Sequence, residues 1–186
     1  TTGLRRRYLT RGWLYRWQAC IPAYLEWEKG HSTGWQVQAA EVKKQRDYHE
    51  GEVHATLSGR IDRLDRGADG LRIIDYKTGM VPTNNEVMSG EKIQLPFYAL
   101  LLENENVTQV MFLSLQDGNV AAKSVLEGET LALLRTAVRK RLMLLKHRLD
   151  NEALLPAWGD ADTCDVCDME GLCRRGMWLD QAQKPW

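Results

Sequence analysis

Two short runs separated by turn residues constrain this chain more than any other feature. Residues 53–62 alternate apolar and polar positions through Val53, Ala55, Leu57 and Gly59, ending at Ile61 and Asp62. Residues 71–77 are shorter and rich in β-branched side chains, with Ile73, Ile74, Asp75, Tyr76 and Lys77, and they stop at Thr78 and Gly79. Between them lie Asp65, Arg66, Gly67, Ala68, Asp69 and Gly70, whose Asp and Gly residues favour turns. The two runs are therefore predicted to pair as an antiparallel hairpin with a longer loop. Side chains two apart on a strand share a face, so Asp75 and Lys77 project together, and Asp62 can sit beside them depending on register. Two carboxylates meeting at one point repel unless a cation lies between them, and hard oxygen ligands suit Mg²⁺ or Mn²⁺. A lysine beside such a metal can orient water or offset charge developing on a phosphoryl oxygen.

The rest of the chain supplies an α/β frame for this hairpin. Leu4, Tyr8, Leu14, Trp17, Ile21 and Leu25 recur at steps of three and four, which predicts a helix over 4–27 with that face buried and a break or kink at Pro22. Residues 35–48 alternate like a strand. A polar loop over 79–90 leads to a predicted helix at 93–102 and a buried strand at 109–115. Leu131, Leu134, Val138, Leu142, Leu145 and Leu149 mark an amphipathic helix over 129–149. Its polar side carries Arg135, Arg139, Lys140, Arg141, Lys146 and Arg148, which is either a solvated face or a phosphate-facing stripe. Lys and Arg total 25 against 25 Asp and Glu, which excludes a uniformly basic nucleic-acid coat and leaves room for a local patch. No run approaches a membrane span and no signal peptide opens the chain, so a cytoplasmic location without membrane contact is expected. The absence of an initiator Met before Thr1 is read as the mark of a piece of a longer polypeptide.

An Asp-x-Lys triplet alone is weak, since it arises by chance roughly once per hundred residues at ordinary charge content, and Glu41, Val42 and Lys43 form a second one here. Context makes it specific: an acid on the preceding strand, a Gly turn after the lysine, and a following helix with Gln94 and Tyr98 four apart on one face. This set, Gly59, Arg60, Ile61 and Asp62, then Asp75, Tyr76, Lys77, Thr78 and Gly79, then Gln94 and Tyr98, resembles the PD-(D/E)xK nucleases of the RecB family, especially the nuclease domains of RecB and AddB. The resemblance implies a restriction-endonuclease-like mixed sheet flanked by helices over 1–150, with a Cys-rich tail over 151–186. It implies Asp62 and Asp75 as metal ligands with the Tyr76 carbonyl, Lys77 as the catalytic lysine, and Gln94 and Tyr98 as supports that contact DNA. Glu41 matches the acid that the family often carries on its first core strand. The family's metal-binding histidine on an upstream helix has no counterpart: His31 lies in a Gly-rich turn and His49 and His54 flank Gly51. An upstream helix is therefore expected to be missing from residues 1–150.

Cys164, Cys167 and Cys173 fall close together near the C-terminus while Cys20 lies far away, a pattern of metal ligation more than of disulfides. Three thiolates invite a fourth ligand, for zinc or for a four-iron cluster. The spacing is similar to the C-terminal part of the iron–sulfur staple of AddB-type domains, with the fourth ligand either Cys20 or a cysteine upstream. The resulting expectation is a Mg²⁺- or Mn²⁺-dependent exonuclease acting on DNA ends, single or double stranded, in double-strand-break repair beside a helicase subunit or domain. Arg60, Arg63, Arg135 and Arg139 would follow the DNA backbone without reading bases. The alternatives are a catalytically inactive nuclease-fold module that binds DNA ends or a helicase, and a zinc-stabilised binding domain. The zinc-protease pattern is excluded because His49 and His54 are five apart, and no phosphate loop for ATP occurs.

Overall fold

The computed structural model describes the backbone of residues 2–153, 164 and 167–173, with the side chains of these residues from 12 onward except that of residue 170. Helix α1 (Thr2–His31) precedes three strands, β1 (Trp35–Glu50), β2 (Val53–Gly67) and β3 (Leu71–Lys77). Two helices, α2 (Asn84–Met88) and α3 (Gln94–Leu101), lead to β4 (Val107–Gln116) and β5 (Asn119–Glu127). The long α4 (Gly128–Asp150) follows, and α5 (Glu170–Cys173) lies in the tail. The sheet order is β1-β2-β3-β4-β5. Every neighbouring pair is antiparallel except β3 and β4, which the α2–α3 crossover makes parallel. No described helix is long and apolar enough to cross a membrane.

Alternation along the central strands divides the core between the two sheet faces. Ile61, Leu71, Ile73, Val110 and Phe112 turn to one face and pack on Val87 of α2, Leu95 and Ala99 of α3, and Leu131 of α4. Ile74, Met111, Leu113 and Leu115 turn to the other and pack on Cys20 and Trp27 of α1. A third cluster joins the far end of the β1–β2 hairpin, through Tyr48, to Leu100 of α3 and Val138 and Met143 of α4. Burial of this kind contributes about 25 cal/mol per Å² of apolar surface removed from water, which fixes the helices to the sheet. Within the crossover, Thr83 caps α2: its hydroxyl accepts from the Glu86 N–H and the Glu86 carboxylate accepts from the Thr83 N–H at 2.7 Å.

Several elements differ from the sequence expectation. Helix α1 runs through Pro22 unbroken. Pro22 and Gln18, four residues back, are both exposed, so the carbonyl that loses its donor faces water. The buried stripe of α1 is Cys20 and Trp27 with Tyr24 beside them, while Leu14, Trp17, Ile21 and Leu25 are exposed; Leu4 and Tyr8 lie outside the described side chains. Asp65, expected in the turn, is fully buried inside β2, and the turn narrows to residues 68–70. The 79–90 loop contains α2, and β5 was not foreseen.

The reason Asp65 is buried is a network of charges beneath α1. Arg63 and Arg72 are 5% and 2% exposed, and both bond the Asp65 carboxylate, Arg63 Nε at 2.6 Å and Arg72 Nη2 at 2.6 Å. Arg63 also grips Glu28 of α1 with two parallel hydrogen bonds of 2.7 and 2.8 Å, the bidentate geometry that suits a guanidinium. That grip holds the Glu28 carboxyl below its ordinary pKa, against the opposing pull of partial burial. Arg72 lies over the Trp35 ring at 4.6 Å.

Gly70 makes the tight turn between β2 and β3 possible, with φ +154. A Cβ there would fall well inside contact distance of the Asn106 carbonyl oxygen, the same oxygen that accepts from Leu71 N at 2.7 Å. Gly70→Ala is expected to cost about 1–3 kcal/mol through overpacking, read as a lower urea midpoint at constant slope. An unchanged midpoint would show that the turn and Asn106 separate freely.

Candidate active site

β2 and β3 pair with Arg63 opposite Ile74, so Asp62 lies beside the end of β3, and its Oδ2 accepts from the Tyr76 N–H at 3.0 Å. One strand end therefore carries Asp75 and Lys77 on the face covered by α3, with Asp62 next to them. Tyr76, between the two, turns its ring to the α1 face, where its hydroxyl meets that of Tyr24 at 3.1 Å.

A closed ring of polar contacts fixes the site. Lys77 Nζ lies 2.7 Å from Asp75 Oδ2 and donates to Gln94 Oε1 at 2.7 Å. Gln94 Nε2 donates to Asp75 Oδ1 at 2.7 Å and to the Tyr98 hydroxyl at 3.0 Å. Gln94 and Tyr98 are one turn apart on α3, which is why one helix face presents both. Lys77 reaches the ring across Phe112, its ammonium 5.1 Å from the ring centre. Phe112 sits opposite Asp75 in the parallel β3–β4 pair. Gly59 permits the approach of α3, since a Cβ there would meet Leu101 at 2.9 Å and the Phe97 and Tyr98 rings at 3.4 Å.

Asp75 is 2% exposed, and burial raises its pKa above the ordinary carboxylate value. Lys77 opposes that rise and the nearby Asp62 carboxylate adds to it. Burial also raises the Tyr98 hydroxyl. Asp75 Oδ2 meets the Lys77 ammonium at 2.7 Å, and Oδ1 accepts from Gln94. A buried carboxylate beside a second carboxylate is a hard-oxygen donor pair that fits a divalent cation, which would favour the ionised form that burial disfavours. Asp62 and Asp75 are the side chains that could hold it. Among the described residues no three His, Cys, Asp or Glu side chains converge on one point, so the donor set from side chains is a pair.

The other expected site residues are placed elsewhere. Glu41 has φ 53 and pairs with Arg60 at 2.6 Å, both more than half exposed, at the rim and outside the polar ring. Arg63, expected to follow DNA, is buried in the charge network, where its Nε bonds Asp65 and both Nη bond Glu28. Arg139 pairs with Glu50 and Glu103 at 3.4 and 3.2 Å, holding α4 to the hairpin. Arg135 is half-buried and makes no ion pair among the described residues. In the tail, Cys167 N bonds Cys164 O at 3.2 Å in one turn and Cys173 closes α5. Cys20 is 3% exposed in the α1 core, and among the described residues it does not join the tail cysteines in a metal-ligating group. None of the four cysteines is in a disulfide. His31 stacks on Trp27, and His49 and His54 contact each other in the β1–β2 hairpin, remote from Asp75 in the sheet. Sequence reading missed the role of Phe112, which only the β3–β4 register reveals.

The family model of the PD-(D/E)XK nuclease superfamily matches residues 2–174. The chain belongs to the PD-(D/E)XK nuclease superfamily. The mixed five-stranded sheet with helices on both faces is the restriction-endonuclease-like fold of this superfamily. Its curated relatives include an ATP-dependent helicase/deoxyribonuclease subunit of Carboxydothermus hydrogenoformans, 33% identical over 111 residues, covering 54% of this chain and 10% of the relative. The protein of the same description from Clostridium perfringens strain SM101 is 31% identical over 115 residues, again covering 54% and 10%. This superfamily member thus spans about a tenth of the length of the curated relatives it matches. Among solved structures, SSO0001 superposes on 81% of this chain and 64% of its own at a TM-score of 0.41 and 18% identity, too loose a match to bear on the assignment.

Proposed function

We propose that this nuclease-superfamily chain hydrolyses DNA phosphodiester bonds with Mg²⁺ or Mn²⁺, as an exonuclease that processes ends in double-strand-break repair beside a helicase. The observation that carries the reading is the ring of Asp75, Lys77 and Gln94, with Asp62 at its edge. The relatives' description as helicase/deoxyribonuclease subunits supports the DNA substrate and the helicase partner.

Asp62 and Asp75, with the main-chain carbonyl of Tyr76, would hold the metal. When bound, the metal supplies a water of lowered pKa and offsets charge on the phosphoryl oxygens. Lys77, held by Gln94 and Asp75, presents its remaining ammonium hydrogen bonds to the attacking water or to a phosphate oxygen as negative charge builds there. Gln94 fixes both neighbours at once, so neither rotates as the phosphate arrives. Tyr98 closes the α3 side of the ring and donates toward the DNA. Arg60 and Arg135, on the surface nearby and on α4, contribute charge for the backbone.

Linear DNA incubated with the 186-residue chain and Mg²⁺ or Mn²⁺ should be degraded. EDTA should stop the reaction, and Asp75→Asn should lower it by about 100-fold or more, since one carboxylate of a pair is lost. Cleavage by Asp75→Asn at the wild-type rate would overturn the assignment. DNA binding without any cleavage by the wild type would favour the inactive end-binding module.

A further inference from the structure

α1 carries an unusual surface that the polar ring does not use. Its residues up to Leu25 contain Arg5, Arg6, Arg7, Arg11 and Arg16 and no carboxylate, interleaved with Tyr8, Trp13, Tyr15, Trp17 and Tyr24. Cations near a helix N-terminus oppose the helix dipole, so these arginines do not serve helix stability. Trp13 and Trp17 are 55% and 49% exposed, large apolar surfaces that a solvent-facing helix does not need. Trp13, Arg16, Trp17, Cys20 and Tyr24 fall at spacings of three and four and form one side of a groove of about 1050 Å³. Tyr76, Thr78 and Gly79 at the end of β3 and Leu115, Gln116 and Asp117 at the end of β4 form the other side. The groove therefore opens at the residues that directly follow Lys77.

We propose that this groove, between α1 and the ends of β3 and β4, is a stacking platform for single-stranded DNA. The occupant follows from the chemistry. Indole faces accept any base, and stacking is insensitive to sequence. The described lining carries one cation, Arg16, and one acid, Asp117; the sequence of residues 1–25 adds four more arginines and no acid, and positive charge tracks phosphates. Arg16 lies over the Trp13 ring at 5.6 Å and, among the described residues, bonds its own helix at Gly12 O, 3.4 Å away, which leaves further N–H groups for a phosphate. Bases are exposed for stacking in a single strand and hidden in a duplex, so the platform selects unpaired DNA. The proposal rests on the reading of DNA as the substrate and adds which form of DNA is held and where.

The test is binding of fluorescein-labelled oligo(dT) and of a blunt duplex to the full chain in EDTA, followed by anisotropy and by tryptophan quenching. Trp13→Ala with Trp17→Ala should weaken oligo(dT) binding by about tenfold or more, remove most of the quenching, and change duplex binding little. Trp17→Phe, which keeps a stacking face, should retain most of the affinity. An unchanged thermal melt shows that the double variant is folded, as expected for half-exposed side chains outside the cores. Equal oligo(dT) affinity in wild type and double variant would overturn the platform, and so would a wild type that binds no oligo(dT). A wild type that self-associates through this face, with DNA affinity indifferent to the substitutions, would assign the surface to protein contact and also overturn it. Tryptophan-dependent binding in a protein that cleaves nothing would leave the platform standing and remove the nuclease reading, so the two fail separately.

Discussion

Lys77→Met is expected to slow DNA hydrolysis by about 10²- to 10³-fold, the usual effect of removing one preorganised donor that meets charge developing in the transition state. The stem of Met covers Phe112 as Lys does, so the change is confined to the ammonium. What is lost is a cation held at 2.7 Å from both Asp75 Oδ2 and Gln94 Oε1. Such a group needs no reorganisation when the phosphate arrives, which is the source of its worth. Lys77→Arg should recover only part of the rate, because a planar guanidinium cannot occupy the same point between a carboxylate and an amide. The measurement is single-turnover cleavage of end-labelled linear DNA at saturating metal, with circular dichroism to confirm the fold. A Lys77→Met rate within threefold of wild type would show that the lysine takes no part in hydrolysis.

The largest effect on stability is expected at Asp65, a residue far from the chemistry. Its carboxylate is fully buried and serves two buried arginines. Arg63 would keep Glu28 after the loss, but Arg72 has no other carboxylate among the described contacts; its remaining bond is to the His31 carbonyl at 3.4 Å. Asp65→Ala therefore strands a charge inside the protein, which costs about 3–5 kcal/mol. For a chain of this size that lowers the melting temperature by roughly 6–20 °C. Glu28→Gln should cost much less, since Glu28 is partly solvated and its arginine keeps Asp65. A melt of Asp65→Ala within a degree or two of wild type would mean that water reaches Arg72 and that the network is not closed.

Much of this fold was legible before the structure, and the failures have identifiable causes. The β2–β3 hairpin, α3, β4 and α4 follow from period and turn chemistry because each is long or strongly patterned. Spacing put Asp75 with Lys77, two apart on a strand, and Gln94 with Tyr98, four apart on a helix; that the two pairs meet was implied only by the family resemblance. Asp65 was misread because Asp followed by Gly residues is turn-like locally; only the approach of Arg63 and Arg72 reveals that it is a buried counter-charge. The face of α1 was misread because its apolar residues are spread round the helix among its arginines, so periodicity could not choose between the Leu14 and Trp17 side and the Cys20 and Trp27 side. β5 escaped because its alternation is carried by Ala121, Ala122 and Ser124, residues with little β preference. Arg63 looked like any surface arginine, since nothing in sequence shows the Glu28 carboxylate waiting on a helix 35 positions earlier.

Strand order that repeats chain order has a consequence for how the molecule assembles and opens. Each strand pairs with its sequence neighbour, so the segment from β2 through α3 that carries the site can close on itself by short-range contacts, which favours early and rapid formation. α1 is the exception. Besides the grip of Arg63 on Glu28, it packs on β4 and β5, elements made from the far part of the chain, so its docking is complete only once they are in place. It should therefore dock last and be the first unit to open under native conditions. Amide exchange would then be fastest in α1 and slowest in β3 and β4.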